Sequence, residues 1–190
     1  MKKLFSLLIV ASMSIFAVAQ EINVAKVNTN SGVYVFNDCE PISKYEVIGE
    51  FTVENLTYAE RAYSGAQYQG LRDAFVKMAK MVNHQTEGVI LTLVTGGIDK
   101  AYIIKFKDES EDHSLARVNR YRGVYIFCDC EPINNYKYLG DLKGKHTLNP
   151  QYTALRDDLL KKCLKDYENA NGIILHLVLG GKDSAEAISL

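Results

Sequence analysis

The chain has 190 residues, of which 47% are hydrophobic and 24% charged, and its formal net charge is −1 at pH 7. This composition excludes an intrinsically disordered chain and a strongly basic nucleic-acid-binding protein. There is no tryptophan, so a packed core must take its large aromatic side chains from 12 tyrosines and seven phenylalanines.

The first 19 residues predict a secretory signal peptide. Lys2 and Lys3 precede an apolar run at Leu4–Val10, and Ala17-Val18-Ala19 provides small residues before a cleavage site at Gln20. The run is too short for a membrane span, which takes roughly 20 apolar residues, and no later segment is long enough. We therefore expect an exported protein, periplasmic or extracellular, with no transmembrane segment in the mature chain. Without the two lysines, 20 basic residues face 23 acidic ones, which gives no basic surface for nucleic acid.

The next elements predict a small α+β unit. Apolar and polar residues alternate over 24–28, a turn is predicted at 29–32, and a second strand follows at 33–36. This pattern is typical of a β-hairpin. A helix is predicted over 68–82, because Leu71, Phe75 and Ala79 recur at helical spacing. Further strands are predicted at 45–52, 89–95 and 101–106.

The same unit returns after an acidic linker, residues 107–114. Residues 25–49 align on 116–140 with 14 of 25 positions identical, and 67–106 align on 151–190 with 16 of 40 identical. The run Asp38–Ile42 returns intact as Asp129–Ile133. These matches indicate a tandem duplication with one repeat at 24–106 and the other at 115–190.

The predicted fold class is α+β, a pair of ββαββ-type units. The strand predicted at 173–179 is apolar on both faces apart from His176, although helices cover only one face. We expect the two repeats to pack on each other about a pseudo-two-fold axis, with an external partner on that face as the alternative.

The first repeat has Tyr45-x-x-Ile48-Gly49 before its helix, and the second repeat has Asn169–His176 after its helix. In these residues each repeat resembles small bacterial envelope domains of the YbjQ heavy-metal-binding-like type and of the Rcs stress-sensing lipoprotein type. The resemblance implies a compact domain used in binding or sensing. The chain lacks the lipidated cysteine and the hairpin cysteines of the lipoprotein.

Four cysteines are candidates for chemistry. Cys163 lies on the apolar helix face and is expected to be a buried free thiol. Cys39 and Cys130 are equivalent in the two repeats, so a pseudo-two-fold axis near them favours a disulfide. Cys128 and Cys130, two apart on a strand, would share a face, and with Cys39 they would form a soft-metal site.

Acidic residues flank these cysteines: Asp38, Glu40, Asp129 and Glu131. They would suit acid–base catalysis or a hard cation, but Asp-x-Glu-Pro after a strand is more typical of a turn in which Asp caps backbone N–H groups. Arg72 and Arg156 are expected to pair with a carboxylate of that turn. The four histidines are scattered, and His176 is expected to be buried and satisfied.

No catalytic motif is present, so the expected function is that of a non-enzymatic binding or interaction module of the envelope, with an unknown protein or small ligand as partner. The cofactor is unknown, and the sequence does not require one. Two alternatives stay open: a thiol-based metal-binding or redox-responsive protein using Cys39, Cys128 and Cys130, and an enzyme of unrecognised type.

Overall fold

The computed structural model describes residues 22–57, 68–144, 151–179 and 182–190. The predicted signal peptide lies outside the described residues. Within the described ranges, no helix combines the length and the apolar character that a bilayer crossing needs.

The elements occur in the same order in the N-terminal half (residues 24–106) and in the C-terminal half (residues 115–190). The N-terminal half has the strands β1 (Val24–Val27), β2 (Thr29–Asn30), β3 (Val33–Asn37), β4 (Cys39–Pro41), β5 (Tyr45–Thr52), β6 (Gly88–Thr92) and β7 (Lys100–Phe106). The C-terminal half has β8 (Leu115–Val118), β9 (Arg120–Tyr121), β10 (Val124–Phe127), β11 (Cys130–Pro132), β12 (Lys137–Lys143), β13 (Gly172–His176) and β14 (Ser184–Ser189). The helices are α1 (Tyr68–Val82) and α2 (Tyr152–Asp166), and a short 3₁₀ helix at Val53–Asn55 follows β5. The α+β class is confirmed.

Each half forms its own five-stranded sheet, in the order β2-β3-β6-β7-β5 and β9-β10-β13-β14-β12. One pair in each sheet is parallel, β3 with β6 and β10 with β13, whereas the other pairs are antiparallel. Because a parallel pair requires a crossover connection, the helix of each half is carried over one face of its sheet.

A third sheet, β11-β1-β8-β4, is built from both halves. At its centre β1 and β8 run antiparallel, with Ala25 opposite Ala116. The outer pairs correspond to each other, because Val27 lies opposite Cys130 and Cys39 lies opposite Val118. Each half therefore contributes two strands to the sheet, and each outer strand pairs with a strand of the other half. We call this the shared sheet.

The predicted hairpin between residues 24–28 and 33–36 is wrong. The strand that pairs back on β3 is the two-residue β2, through a turn in which Ser31 and Gly32 have φ values of 52° and 77°. Among the described residues, β1 instead pairs with β8 and β11 of the C-terminal half. Local alternation shows that a segment is a strand but does not show its partner, which here lies about 91 residues away.

The core consists of two buried clusters on opposite faces of the five-stranded sheets. The first lies under the helices and includes Phe75, Leu159 and Ile173. The second lies against the shared sheet and includes Phe36 and Ile174. Burial of each such side chain stabilises the fold by about 1.5–3 kcal/mol. The second apolar face of β13 is thus covered by the shared sheet.

Candidate functional site

The two halves meet where β3 and β10 end. Asn37 and Cys128 face each other there in an isolated antiparallel bridge. The next residues, Asp38 and Asp129, have φ values of 55° and 54°. This left-handed conformation is disfavoured for most residues, but Asp tolerates it because its short side chain can hydrogen-bond locally. At these two residues the chain leaves the sheet of its own half and enters the shared sheet. We call this region the junction.

The Asp38 carboxylate binds three side chains of the C-terminal half. It accepts hydrogen bonds from the hydroxyls of Tyr152 at 2.5 Å and Tyr121 at 3.0 Å, and it forms an ion pair with Arg156 at 3.2 Å. The guanidinium of Arg156 also lies 4.2 Å from the centre of the Tyr121 ring. The side chains of Asp38 and Arg156 are only 9% and 11% exposed. Since a buried polar group is disfavoured unless it is hydrogen-bonded, these contacts compensate for the withdrawal of the Asp38 carboxylate from water.

The Asp129 carboxylate makes the corresponding contacts with the N-terminal half. It accepts from the Tyr68 hydroxyl at 2.6 Å and pairs with Arg72 at 2.9 Å. This arrangement is more open, because both charged side chains are 21% exposed. The position equivalent to Tyr121 is occupied by Asn30, whose amide donates to Asp73 at 2.6 Å instead.

The junction agrees in part with the sequence prediction. Arg72 and Arg156 each pair with an aspartate of the Asp-Cys-Glu turn, as predicted, but the aspartate belongs to the other half. The bonds described for the two carboxylates come from Tyr and Arg side chains, whereas the sequence predicted backbone N–H donors. Glu40 and Glu131 are exposed on the shared sheet and do not enter the junction.

The hydrogen bonds of Tyr68 and Tyr152, the first residues of the two helices, were not predicted. The helical spacing had placed both tyrosines among the apolar residues of each helix face. The rings of Tyr68 and Tyr152 do pack together, with centres 4.9 Å apart. Burial, followed by the neighbouring Cys128 and Asp129, raises the pKa of the Tyr68 hydroxyl well above 10.0. Burial, Cys128 and Asp38 do the same to the pKa of Tyr152. Both hydroxyls therefore act as donors to the aspartates. The sequence signal was the Tyr-x-x-Leu-Arg-Asp run, which begins both helices.

The predicted three-cysteine metal site is not formed. Cys128 belongs to the buried cluster under the helices, whereas Cys39 and Cys130 belong to the cluster against the shared sheet. The left-handed Asp129 separates β10 from β11, so Cys128 and Cys130 do not share the face of one regular strand. Across the described parts of the chain, no group of three or more His, Cys, Asp or Glu side chains could hold a metal ion.

Cys39 and Cys130 do lie together, but as free thiols, so the predicted disulfide between them is not formed. Both are 3% exposed. A hydrogen bond with Cys39, followed by burial, raises the pKa of Cys130 well above that of an ordinary thiol. Cys128 is separate: its sulfur accepts from the Asn37 amide at 3.3 Å, and burial raises its pKa well above 9.0. A buried thiol with a raised pKa is a poor nucleophile, because the thiolate is the reactive form.

The predictions for Cys163 and His176 had different outcomes. Cys163 is fully buried and free, as predicted, and burial raises its pKa to about 11. His176 is not buried, contrary to the prediction: its side chain is 46% exposed and lies 3.0 Å from Glu186. It is the last residue of β13.

A surface pocket of about 470 Å³ lies away from the junction, between the β2–β3 turn and the outer face of α1. Its lining residues include Ser31, Val76, Lys77, Lys80 and Met81. We call it the α1 pocket. The sequence did not indicate it, because its turn residues and its helix residues are distant in the sequence and, of the lining, only Asp73 belongs to the repeated Tyr-x-x-Leu-Arg-Asp run.

No family model matches this sequence, and comparisons with curated proteins and with solved structures give no match. Only the sequence and the geometry therefore bear on the function. The tyrosines and aspartates of the junction hydrogen-bond one another, the thiols are buried, and both polar and apolar side chains line the α1 pocket.

Proposed function

We propose that this protein is an exported, non-enzymatic binding module of the bacterial envelope, in which two copies of one unit pack about a pseudo-two-fold axis. The observation that carries the proposal is the pairing of Asp38 with Arg156 and of Asp129 with Arg72 across the junction. These are the charged groups best placed for acid–base chemistry, and they are occupied in holding the two halves together. The resemblance of each repeat to envelope domains for binding or sensing supports the same class of function.

Export is tested by the mature N-terminus. We expect the protein expressed in a bacterium to appear outside the cytoplasm, with Gln20 as its first residue, because Ala17 and Ala19 are small enough for a signal peptidase. N-terminal sequencing of the fractionated cells measures this. Protein that retains Met1 and stays in the cytoplasm contradicts export.

Binding without catalysis is tested on protein purified gently from the exporting cells. Native mass spectrometry is expected to show a small molecule that dissociates on denaturation. The released molecule, incubated with fresh protein, is expected to return with its mass and structure unchanged. A product with altered mass supports the enzyme alternative, and protein without ligand after exposure to whole-cell extract contradicts the binding module.

A second candidate function is redox response, and the contact of Cys39 with Cys130 favours it. An oxidising compartment would supply a disulfide that exchanges with the two thiols: a Cys39–Cys130 bond forms, and the donor disulfide is reduced to two thiols. Because both thiols are buried in the folded chain, this exchange takes place while the shared sheet is open. After alkylation of the unfolded protein, intact mass should then show two alkyl groups on the wild type and one on Cys128→Ser, but three on Cys39→Ser, which cannot form the bond. Full alkylation of all four cysteines in the unfolded exported protein contradicts this function.

A further inference from the structure

The three sheets of the described chain have six edge strands, and four of these are protected against pairing with another chain. The edge strands β2 and β9 have two residues each. The edge strands β4 and β11 have three residues each, and they end at Pro41 and Pro132. Very short edges and proline are two means by which proteins prevent edge-to-edge association. The other two edges, β5 with eight residues and β12 with seven, are long enough to accept a further strand.

The edge of β12 is closed by lysines and by side chains of α2. The strand begins and ends with lysine, at Lys137 and Lys143, and edge lysines oppose pairing. The carbonyl oxygen of Lys143 accepts from the Lys162 ammonium at 2.6 Å. The carbonyl oxygen of Asp141 accepts from the Tyr167 hydroxyl at 3.5 Å. A further strand on β12 would have to compete with these two donors.

The equivalent edge of β5 has neither protection. None of its eight residues is lysine or proline. Met78 replaces Lys162, and its thioether has no hydrogen-bond donor. Asn83 replaces Tyr167, and its side-chain oxygen accepts from the backbone of the loop after α1 at 2.9 Å. Both strands contain a β-bulge, so the bulge does not account for the difference.

Hydrogen bonds at the two ends of β5 show which of its residues face the free side of the strand. Lys44 accepts from the Lys107 N–H at 2.9 Å, so Lys44 faces β7. Val53 donates to the Asp99 carbonyl at 3.0 Å, so Val53 faces β7 as well. Backbone groups alternate between the two sides of a strand, and the bulge adds one residue. The residues whose backbone groups face the free side are therefore Tyr45, Val47, Glu50 and Thr52. The N–H of the last of these already bonds to the Asn55 side chain at 2.7 Å, which leaves its carbonyl oxygen.

We propose that β5 pairs with β5 of a second copy of this chain, antiparallel and about a two-fold axis. With the axis at the bulge, Val47 lies opposite Glu50 of the second copy, and Tyr45 lies opposite Thr52. Each of these residues turns backbone groups to the free side, so the pairs can bond, and no like charges face each other. An axis at Glu50 would instead place two carboxylates opposite each other. The pairing also covers Val47, which is 55% exposed in a single copy.

The closed edge of β12 limits this assembly to two copies. A contact between β5 of one copy and β12 of the next would leave a free edge at each end and continue into an open chain. A contact between two β5 strands uses the open edge of each copy and closes. The assembly does not involve the ligand of the proposed binding module, so either proposal can fail without the other.

The test is sedimentation equilibrium of the mature protein over a concentration series. We expect a monomer–dimer equilibrium without larger species, and the small contact should dissociate on dilution into folded monomers. V47E should raise the dissociation constant about tenfold, because the two-fold axis places the introduced carboxylate opposite Glu50 twice. Y138E, at the equivalent exposed position of β12, is the control and should leave the constant within about twofold. Circular dichroism checks that each variant is folded.

Hydrogen exchange measures the same contact without a substitution. The N–H groups of Val47 and Glu50 should exchange more slowly as the protein concentration rises. Those of Tyr138 and Asp141, at the equivalent positions of β12, should exchange at a rate that does not depend on concentration.

Several results would overturn the proposal. They are a monomer at every concentration, species larger than a dimer, equal effects of V47E and Y138E, or a dimer in which exchange at Val47 is unchanged. A monomer in which Val47 and Glu50 are protected at every concentration would show that the chain itself covers β5. A monomer in which exchange at Val47 slows only in cell extract would assign the edge to another protein instead.

Discussion

At the scale of single residues, the two aspartates of the junction are equivalent in sequence but unequal in environment. Asp38 has two tyrosine hydroxyls and an arginine, and its side chain is 9% exposed. Asp129 has one tyrosine and an arginine, and its side chain is 21% exposed. Removal of one partner of a buried ion pair leaves an uncompensated charge, so the more buried aspartate should contribute more to stability.

This difference can be measured with Asp38→Asn and Asp129→Asn. Asn tolerates the left-handed backbone as Asp does, so the substitution removes the charge without adding backbone strain. We expect the free energy of unfolding to fall by about 3 kcal/mol for Asp38→Asn and by about half as much for Asp129→Asn. Urea unfolding followed by circular dichroism gives both values. Equal losses, or a larger loss at Asp129, would show that burial does not rank the two sites.

The junction tyrosines predict a decline of stability at alkaline pH. Their pKa is raised in the folded state, because burial and the nearby carboxylates disfavour the phenolate. The contribution of the neutral phenol is therefore fully present below about pH 10 and is lost as pH rises above the unfolded pKa. Urea unfolding between pH 8 and 11 should show this loss.

Tyr152→Phe tests the assignment of that pH dependence. It should lower stability at pH 8, because a hydrogen bond to Asp38 is lost, but make the alkaline decline shallower. Tyr102→Phe, a tyrosine of β7 away from the junction, is the control. An unchanged alkaline slope in Tyr152→Phe would mean that the junction phenols do not produce it.

At the scale of elements, glycines fix how closely neighbouring strands approach. A Cβ atom at Gly88, the first residue of β6, would lie 2.9 Å from Ile104 Cγ1 and 3.1 Å from a carbon of Phe36. At the equivalent Gly172 it would lie 2.9 Å from Ile188 Cγ1. These distances are well inside ordinary packing contact, so a side chain there would force the buried neighbours apart.

We expect Gly88→Ala and Gly172→Ala each to lower the free energy of unfolding by about 1–3 kcal/mol. Thermal and urea unfolding measure the change. Thr92→Ala, at the exposed end of β6, is the control and should stay within about 0.5 kcal/mol of the wild type. Wild-type stability in both glycine variants would show that the strands can separate freely at these positions.

The helices and central strands could be predicted from the sequence because their signals are local. The apolar spacing placed α1 at its observed bounds. The pairing of β1 could not be predicted from local signals, because Ala25 lies opposite Ala116 of the other half. The prediction that Cys128 and Cys130 share a face was wrong for a different reason. It assumed a continuous strand, and the left-handed conformation of Asp129 interrupts that strand. The pairing of Arg with the Asp-Cys-Glu turn was predictable by charge, but the half that supplies each partner was not.

At the scale of the whole molecule, the halves contact each other through equivalent residues. Ala25 lies opposite Ala116, Asn37 opposite Cys128, and the rings of Tyr68 and Tyr152 pack together. Cys39 and Cys130 are also in contact. These four contacts are those that a two-fold axis through the junction would produce, which supports the proposed duplication about such an axis. A single half would then leave the partners of β1 and β4 missing.

The isolated N-terminal half, residues 22–106, should therefore not fold as a monomer. As a second copy offers the same surface as the missing half, we expect it to fold as a symmetric dimer, with Ala25 facing Ala25 and Asp38 pairing with Arg72 of the second copy. Sedimentation and circular dichroism over a concentration series should show folding coupled to dimerisation, and Asp38→Asn should weaken the dimer. The intact chain, in which both halves are covalently joined, should keep its folded state on dilution. A folded monomer of residues 22–106 would mean that the shared sheet is not required for either half to fold.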